Sequence, residues 1–166
     1  MFEYQKSHRY FAQTSHTIQE LAIEELQQLG AKNVKQAFRG VYFESDITDL
    51  FRINYQTRFI SRILAPLIKF TCHNTKYLYR KAKEVKWGEL FSPEDSFAIF
   101  ANVANSKITH SQYAALCVKD AIADYFNEQF GRRPNVDKQE PDVWINLHIV
   151  DNFATISLDT SGGSLH

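Results

Sequence analysis

The alternation of helix and strand signals constrains the fold of this chain more than any other feature. Aromatic and β-favouring residues over 8–13 predict a first strand. Thr17, with Glu20 three residues later, predicts a capping box at the start of a helix, and Gly30 predicts the end of that helix. One face of the predicted helix carries the apolar residues Ile18, Leu21, Ala22, Leu26 and Leu29.

A hairpin, a second helix and a long strand follow. Residues 33–38 and 41–44 predict two short strands joined by an Arg-Gly turn, and Ser45 is the expected cap of the next helix. Residues 59–70 predict a long strand, in which a proline marks an edge or a bend. The resulting order β-α-β-β-α-β is that of a ferredoxin-like subdomain.

The rest of the chain predicts a second αβ unit. Residues 75–85 predict a helix, and residues 96–103 predict a strand that is apolar on both faces, which favours a central position in a sheet. The long apolar stripe of Ser111–Phe130 predicts a second helix. Val143–Val150 and Phe153–Asp159 predict a hairpin with a two-residue turn.

Three segments follow from this pattern. We expect an α+β chain with a ferredoxin-like (βαββαβ-type) subdomain over residues 8–70 and a second αβ domain over residues 71–160. Residues 161–166 contain Ser-Gly-Gly-Ser and predict the start of a linker.

Composition excludes several classes of protein. Lys plus Arg and Asp plus Glu both total 19, so the formal net charge is zero, and a uniformly basic nucleic-acid-binding protein is excluded. The two cysteines, Cys72 and Cys117, form no CxxC pair, which argues against a disulfide scaffold or a zinc site. No signal peptide or membrane-spanning run is evident, so we expect a cytoplasmic protein without a membrane partner.

The sequence offers no active site. The histidines His16, His110 and His148 have no acid or nucleophile at a recognisable motif spacing, and no P-loop, GxSxG or GxGxxG is present. We therefore expect no catalytic residue, no metal ligand and no cofactor site in this chain.

Basic residues are concentrated in one stretch of the chain. Residues 56–90 contain eight basic and two acidic residues, an excess of +6 that the remainder balances. Lys76, Arg80 and Lys83 follow one another at i, i+4 and i+7 beside Tyr79, a pattern that suits phosphate contacts and base stacking. The alternative is an ordinary solvated helix face.

Two further segments could bind anions. The loop NVANSKITHSQ, residues 102–112, leads into a helix N-terminus, where free N–H groups attract phosphate; alternatively, Thr109 or Ser111 is an ordinary N-cap. Arg132 and Arg133 follow the same helix, where paired arginines either clamp phosphates or complement the helix C-terminus.

Separated motifs carry a resemblance to a known family. NSKITHSQYAALCVKDAI, residues 105–122, resembles the signature of the THUMP module in bacterial ribosomal RNA guanine-N2 methyltransferases. The resemblance extends to FAQTSHTIQELAIEELQQLGAKNV (11–34), RGVYFE (39–44), YQTRFISRIL (55–64) and LDTSGGSLH (158–166). It covers nearly the whole chain from His8 onward, in the order of the family.

The resemblance implies a targeting region of an enzyme. THUMP modules bind RNA, together with the ferredoxin-like subdomain, and deliver it to an S-adenosylmethionine-dependent catalytic domain. In the family that domain follows the Ser-Leu-His segment and carries an Asn-Pro-Pro motif, which is absent here. We therefore expect structured RNA, in particular 23S ribosomal RNA, and the protein's own C-terminal methyltransferase domain as partners, with S-adenosylmethionine bound by that domain.

Particular residues match the family's RNA-binding loop. Asn105 to Gln112 occupy this loop, and Lys119 and Asp120 its helix pair, whereas Cys117 stands where many relatives have a basic residue. The complete set of RNA-binding residues predicted here is Lys76, Arg80, Lys83, Asn105, Lys107, Thr109, His110, Ser111, Gln112, Lys119, Arg132 and Arg133.

Other functions stay open at this point. One alternative is a protein-interaction module that docks on the catalytic domain through Trp144, Asn146 and His148, which share one strand face. Another is the targeting region of an adenine-N6 DNA methylase, a name often given to relatives. A small hydrolase would need a nucleophile or an Arg-Asn site that cannot be assembled from these residues.

Overall fold

The computed structural model describes residues 1–161, and the rest of the expected linker, 162–166, lies outside the described residues. The chain divides into two compact units. Unit 1 comprises Met1–Pro66 and residues 159–161, and unit 2 comprises Leu67–Leu158. No helix within residues 1–161 is long and apolar enough to cross a membrane.

Unit 1 has the predicted β-α-β-β-α-β order, preceded by a short helix. Its elements are α1 (Glu3–Ser7), β1 (Arg9–Gln13), a 3-10 turn (His16–Ile18), α2 (Gln19–Gln28), β2 (Lys32–Ala37), β3 (Gly40–Glu44), α3 (Ile47–Gln56) and the first half of β4 (Arg62–Thr71). The strand order is β2-β3-β1-β4, and β1 pairs antiparallel with both β3 and β4. The ferredoxin-like subdomain is therefore confirmed.

Both helix caps predicted for unit 1 are wrong. The capping box of Thr17 and Glu20 does not form, because a 3-10 turn precedes α2, whose N-cap Ile18 makes no side-chain hydrogen bond. Helix α3 is capped by Asp46 instead of Ser45, and the Asp46 carboxylate accepts a hydrogen bond from the Asp49 backbone N–H at 2.7 Å.

A buried glutamine explains the start of α2. Gln19 is almost fully buried, and its side-chain amide donates to the backbone oxygens of Ala37 and Gly40 at 2.6 and 2.7 Å. Gln36 in turn donates to the Gln19 side-chain oxygen at 2.9 Å. These bonds fasten the β2–β3 hairpin to the first turn of α2, so tertiary hydrogen bonds and not a local cap fix where this helix begins.

Unit 2 consists of strands on which two long helices pack. Its elements are the second half of β4, α4 (Thr75–Glu84), a 3-10 turn (Trp87–Glu89), β5 (Phe97–Ala104), α5 (Ser111–Phe130), β6 (Val143–Val150) and β7 (Phe153–Asp159). The predicted long helix and hairpin have these same bounds. Gly131 ends α5 in the left-handed region, with φ of 73°.

The predicted central position of the first strand of this unit is wrong. Strand β5 lies at the edge of the sheet and pairs in parallel with β6, while on its other side Phe97 forms an isolated bridge with Val136. Strand β6 also pairs antiparallel with β7. The apolar residues of β6 are accordingly buried, whereas most of β5 beyond Ala98 is half-buried. Apolar residues on both faces of 96–103 therefore do not require two strand neighbours, since helix α5 packs on β5.

An aromatic cluster forms much of the core of unit 2. Trp87 is fully buried and donates its indole N–H to the Ala82 backbone oxygen at 2.8 Å. The ring of Phe91 lies 4.9 Å from that of Phe126 and 5.8 Å from that of Phe97. This cluster packs the C-terminal part of α5 against the residues that follow α4.

Candidate nucleic-acid interface

Helices α4 and α5 lie side by side and run in the same direction. Tyr79 on α4 donates to the Asp124 carboxylate on α5 at 2.5 Å, and one turn further along α4 Lys83 pairs with Glu128 at 2.6 Å. Because the partners advance together along both helices, the two helices begin at the same end of unit 2. The starts of both helices therefore lie at one end of this unit, and the start of α4 is capped by Asn74, whose side-chain oxygen accepts from the Tyr77 N–H at 2.8 Å.

The loop before α5 is fastened to the turn of the β6–β7 hairpin. The Asn105 side-chain amide donates to the Asp151 carboxylate. The side-chain oxygen of Asn152 accepts from the Lys107 backbone N–H at 2.9 Å, and its backbone oxygen accepts from the Cys72 N–H at 2.7 Å. Asn152 thus links this loop to the residues just before α4.

The backbone of this region favours the residue types found there. Asn105, Asp151 and Asn152 have φ values of 47°, 54° and 60°, and Asn and Asp tolerate this left-handed region better than other non-glycine residues. The two turn residues were recognised from sequence as a hairpin turn, but not as partners of the predicted anion-binding loop. Nothing local indicated that contact.

The start of α5 keeps its backbone donors free. His110 is the N-cap residue and makes no side-chain cap bond, so the alternative that Thr109 or Ser111 caps this helix is wrong. The first helical bond runs from the Ala114 N–H to the His110 oxygen at 3.0 Å. The preceding N–H groups, including that of Gln112, have no hydrogen-bond partner within residues 1–161, and such groups attract anions.

Unpaired cations lie at the same end. Lys76, in the first turn of α4, and Lys107, in the loop, are exposed and form no ion pair with any residue in 1–161. Residues 105–118 contain no Asp or Glu at all. We define the helix-start patch as Lys76, Asn105, Lys107, Thr109, His110, Ser111 and Gln112.

The other predicted RNA-binding residues lie elsewhere. Arg80, one turn beyond Lys76 on α4, is exposed and lies over the Tyr77 ring at 5.8 Å. Lys83 pairs with Glu128, and Lys119 pairs with its neighbour Asp120 at 2.6 Å. The structure therefore brings seven of the twelve predicted residues to the helix-start patch and spreads the others along the helices.

The two arginines after α5 are distant and already paired. Arg132 pairs with Glu94, and Arg133 pairs with Asp124 at 3.2 Å. They follow a helix of 20 residues, which is about 30 Å long. They cannot contact the same nucleotide as the helix-start patch.

Tyr79, expected beside the basic stripe as a stacking residue, is used inside the unit. Its hydroxyl donates to Asp124, and this hydrogen bond is the largest cause of a raised Tyr79 pKa. The hydrogen bond to Glu128 likewise raises the pKa of Lys83. Both side chains therefore link α4 to the second half of α5.

The face of β6 that was predicted to dock on another protein is partly buried within unit 2. Asn146 is 1 % exposed, and its amide donates to the Phe100 backbone oxygen at 3.3 Å. The Trp144 ring lies 5.8 Å from the Phe100 ring, and Trp144 and His148 are half-buried. No group of three or more metal-ligating side chains occurs within residues 1–161.

Comparison with protein families decides what this arrangement is. The family model of the THUMP domain matches residues 72–159, more than half of the chain. The chain belongs to the THUMP domain family. The model of the RlmL ferredoxin-like domain matches residues 9–64, so the chain joins a ferredoxin-like domain to a THUMP domain in the expected order. The helix-start patch lies within the THUMP domain.

Named relatives are methyltransferases acting on RNA. A candidate RNA methyltransferase of Synechocystis sp. is 41% identical over 157 residues, which cover 95% of this chain and 41% of the relative. The ribosomal RNA large subunit methyltransferase K/L of Syntrophotalea carbinolica is 39% identical over 158 residues, which cover 95% of this chain and 22% of the relative. The chain thus spans less than half the length of either relative.

A solved structure shares the fold. The crystal structure of a Listeria monocytogenes protein, predicted to be an N6-adenine-specific DNA methylase, superposes with a TM-score of 0.78 at 20% identity. The match covers 93% of this chain and 40% of that chain. The likeness shows that this part of the Listeria protein has the same fold as this chain.

Proposed function

We propose that this chain is the RNA-binding region of a ribosomal RNA methyltransferase and that the helix-start patch contacts the RNA backbone. One observation supports this proposal above all. In this THUMP domain, the backbone N–H groups at the start of α5 that have no hydrogen-bond partner lie at the same end as two unpaired lysines. Backbone N–H groups and lysine ammonium groups are the donors that phosphate oxygens accept from.

The hydrogen-bonded loop before α5, residues 102–112, supports this proposal. Hydrogen bonds from Asn105 and Lys107 to the β6–β7 turn hold the loop in place before any ligand arrives. A preformed loop loses little conformational entropy on binding, so more of the contact energy appears as affinity. Two loops 46 residues apart in sequence are fastened at this point, and both flank the free end of α5.

Methyl transfer belongs to another part of the protein under this proposal. The relatives named as methyltransferases are more than twice as long as the segment they share with this chain. The chain contains no Asn-Pro-Pro motif, and the resemblance assigns that motif to the catalytic domain. We therefore propose that S-adenosylmethionine binds in a domain beyond this chain and that the methyl acceptor is guanine N2 of 23S ribosomal RNA.

A binding titration tests the proposed function. The 166-residue chain is titrated into a fluorescein-labelled RNA hairpin with an unpaired 3′ end and, separately, into the DNA of the same sequence. We expect a lower Kd for RNA than for DNA. An RNA Kd no tighter than about 10⁻⁴ M, the weak limit of non-specific binding, would refute the proposal. Equal affinities would favour the targeting of DNA, and binding of only the separately expressed catalytic domain would favour the docking module.

A further inference from the structure

The first two turns of α5 expose an aromatic residue that the packing of unit 2 does not use. Tyr113 is 57% exposed and Leu116 is 48% exposed, whereas the next aromatic residues along the helix join the core or hydrogen-bond within the unit. Burial of Tyr113 would be favourable, because an aromatic side chain is a large apolar surface. An exposed ring beside an anion-binding helix start therefore calls for a partner.

The Tyr113 ring is exposed although the next residue of α5 is buried in the core. Ala114 is fully buried, and Cys117, one turn beyond Tyr113, is half-buried. More than half of the Tyr113 side chain is open to solvent. A tyrosine side chain has only two χ angles, so it loses little rotamer freedom when another ring stacks on it.

Charge around Tyr113 favours a polyanion over a protein or an apolar peptide. Tyr113 directly follows Gln112, whose backbone N–H has no partner within residues 1–161, and the unpaired Lys76 and Lys107 lie at the same end of the unit. No acidic residue occurs between residues 105 and 118, and the Asp151 carboxylate, which contacts this loop, is bonded to the Asn105 amide. An aromatic platform beside a positive groove is the arrangement by which proteins bind single-stranded nucleic acid.

From this juxtaposition we infer that Tyr113 stacks on the base of an unpaired nucleotide whose phosphate contacts the helix-start patch. The inference rests on the proposed function and adds the kind of RNA: a single-stranded end, loop or bulge. Bases inside a duplex are stacked on each other, so they offer no face to Tyr113. The inference assigns a role to a residue that charge and spacing did not single out.

The test uses the 166-residue chain and a single-stranded RNA that carries one 2-aminopurine, whose fluorescence falls when it stacks. Wild type should quench the probe, and Tyr113→Ala should lose the quenching and bind about 5- to 150-fold more weakly. Tyr113→Phe keeps the ring and should retain both. Tyr55→Ala removes an aromatic residue that is 90% exposed in unit 1 and serves as the matched control.

The outcomes separate this inference from the proposed function. Binding of a blunt RNA duplex should be the same for wild type and Tyr113→Ala. If wild type binds single-stranded RNA but Tyr113→Ala binds equally well with equal quenching, the stacking role is wrong and the proposed function stands. If wild type binds no RNA, both fail. A thermal melt of each variant checks the folding. Because residue 113 is exposed, we expect an unchanged melting temperature, and any loss of binding is then not caused by unfolding.

Discussion

Removing the two unpaired lysines of the helix-start patch should weaken RNA binding and flatten its dependence on salt. Each phosphate contact to a single strand contributes about 0.7 to the slope of log K against log salt concentration. Lys76→Gln with Lys107→Gln should therefore lower the slope by about 1.4. Relative to 1 M salt, where counterion release contributes nothing, 0.1 M salt is one decade lower, so a slope difference of about 1.4 corresponds to about a 25-fold loss of affinity.

The matched control removes the same charge from the far end of α5. Arg132→Gln with Arg133→Gln also lowers the net charge by two, but both arginines are already paired with carboxylates. Their distance from the patch, about 30 Å, is about three Debye lengths at 0.1 M salt. We expect this variant to change the affinity by less than about twofold and to leave the slope as in wild type.

Fluorescence anisotropy at several KCl concentrations measures both quantities. Lys76 and Lys107 form no ion pair within the described part of the chain, so their replacement should change the free energy of unfolding by no more than about 0.5 kcal/mol. Urea denaturation checks this point. Equal slopes for the two double variants would refute the assignment of phosphate contacts to the helix-start patch.

Three further predictions concern the packing that supports the site. Tyr79→Phe should lower the free energy of unfolding by about 1 kcal/mol, as measured by urea denaturation at pH 7. Because the pKa of Tyr79 is raised in the folded state, this difference should persist below pH 10 and vanish as the pH rises through the raised pKa. Glu25→Ala should lower the free energy of unfolding by about 3 kcal/mol, because the buried carboxylate accepts hydrogen bonds from the segment before β4. Replacing the exposed Glu24 by Ala should leave that free energy nearly unchanged. Gly40→Ala should lower the thermal midpoint, because its Cβ would lie 2.2 Å from a ring atom on β1; an unchanged midpoint contradicts that packing.

Local signals predict much of the fold. The apolar stripe and the following glycine give Ser111–Phe130 its bounds, and the alternating pattern around a two-residue turn gives both strands of the last hairpin. The β-α-β-β-α-β order follows in the same way. These elements are fixed by residues within a few positions of each other, which a single sequence displays.

Contacts between distant residues account for what the sequence missed. The start of α2 depends on Gln19 reaching strand residues about twenty positions away, and the edge position of β5 depends on how strands pair. The loop carrying Lys107 is held by Asn152, 45 residues later. Patterning predicted the residues of the candidate site, but only the packing of α4 against α5 shows which of them share one end. Their contacts with RNA stay a prediction.

The distribution of acids along α5 argues that its start is kept free for an external anion. Carboxylates usually favour the first turn of a helix, where they interact well with the macrodipole by about 0.3–1 kcal/mol. In α5 the first turn has no acid, Asp120 lies at the middle of the helix, and Asp124 and Glu128 lie in the second half, the unfavourable end. Lys119, Arg133 and Lys83 pair with these three acids. Folding alone would favour the reverse arrangement. Under the proposed function, a phosphate at the helix start would supply the negative charge that the sequence withholds there, so we expect a local positive site within a chain of zero net charge.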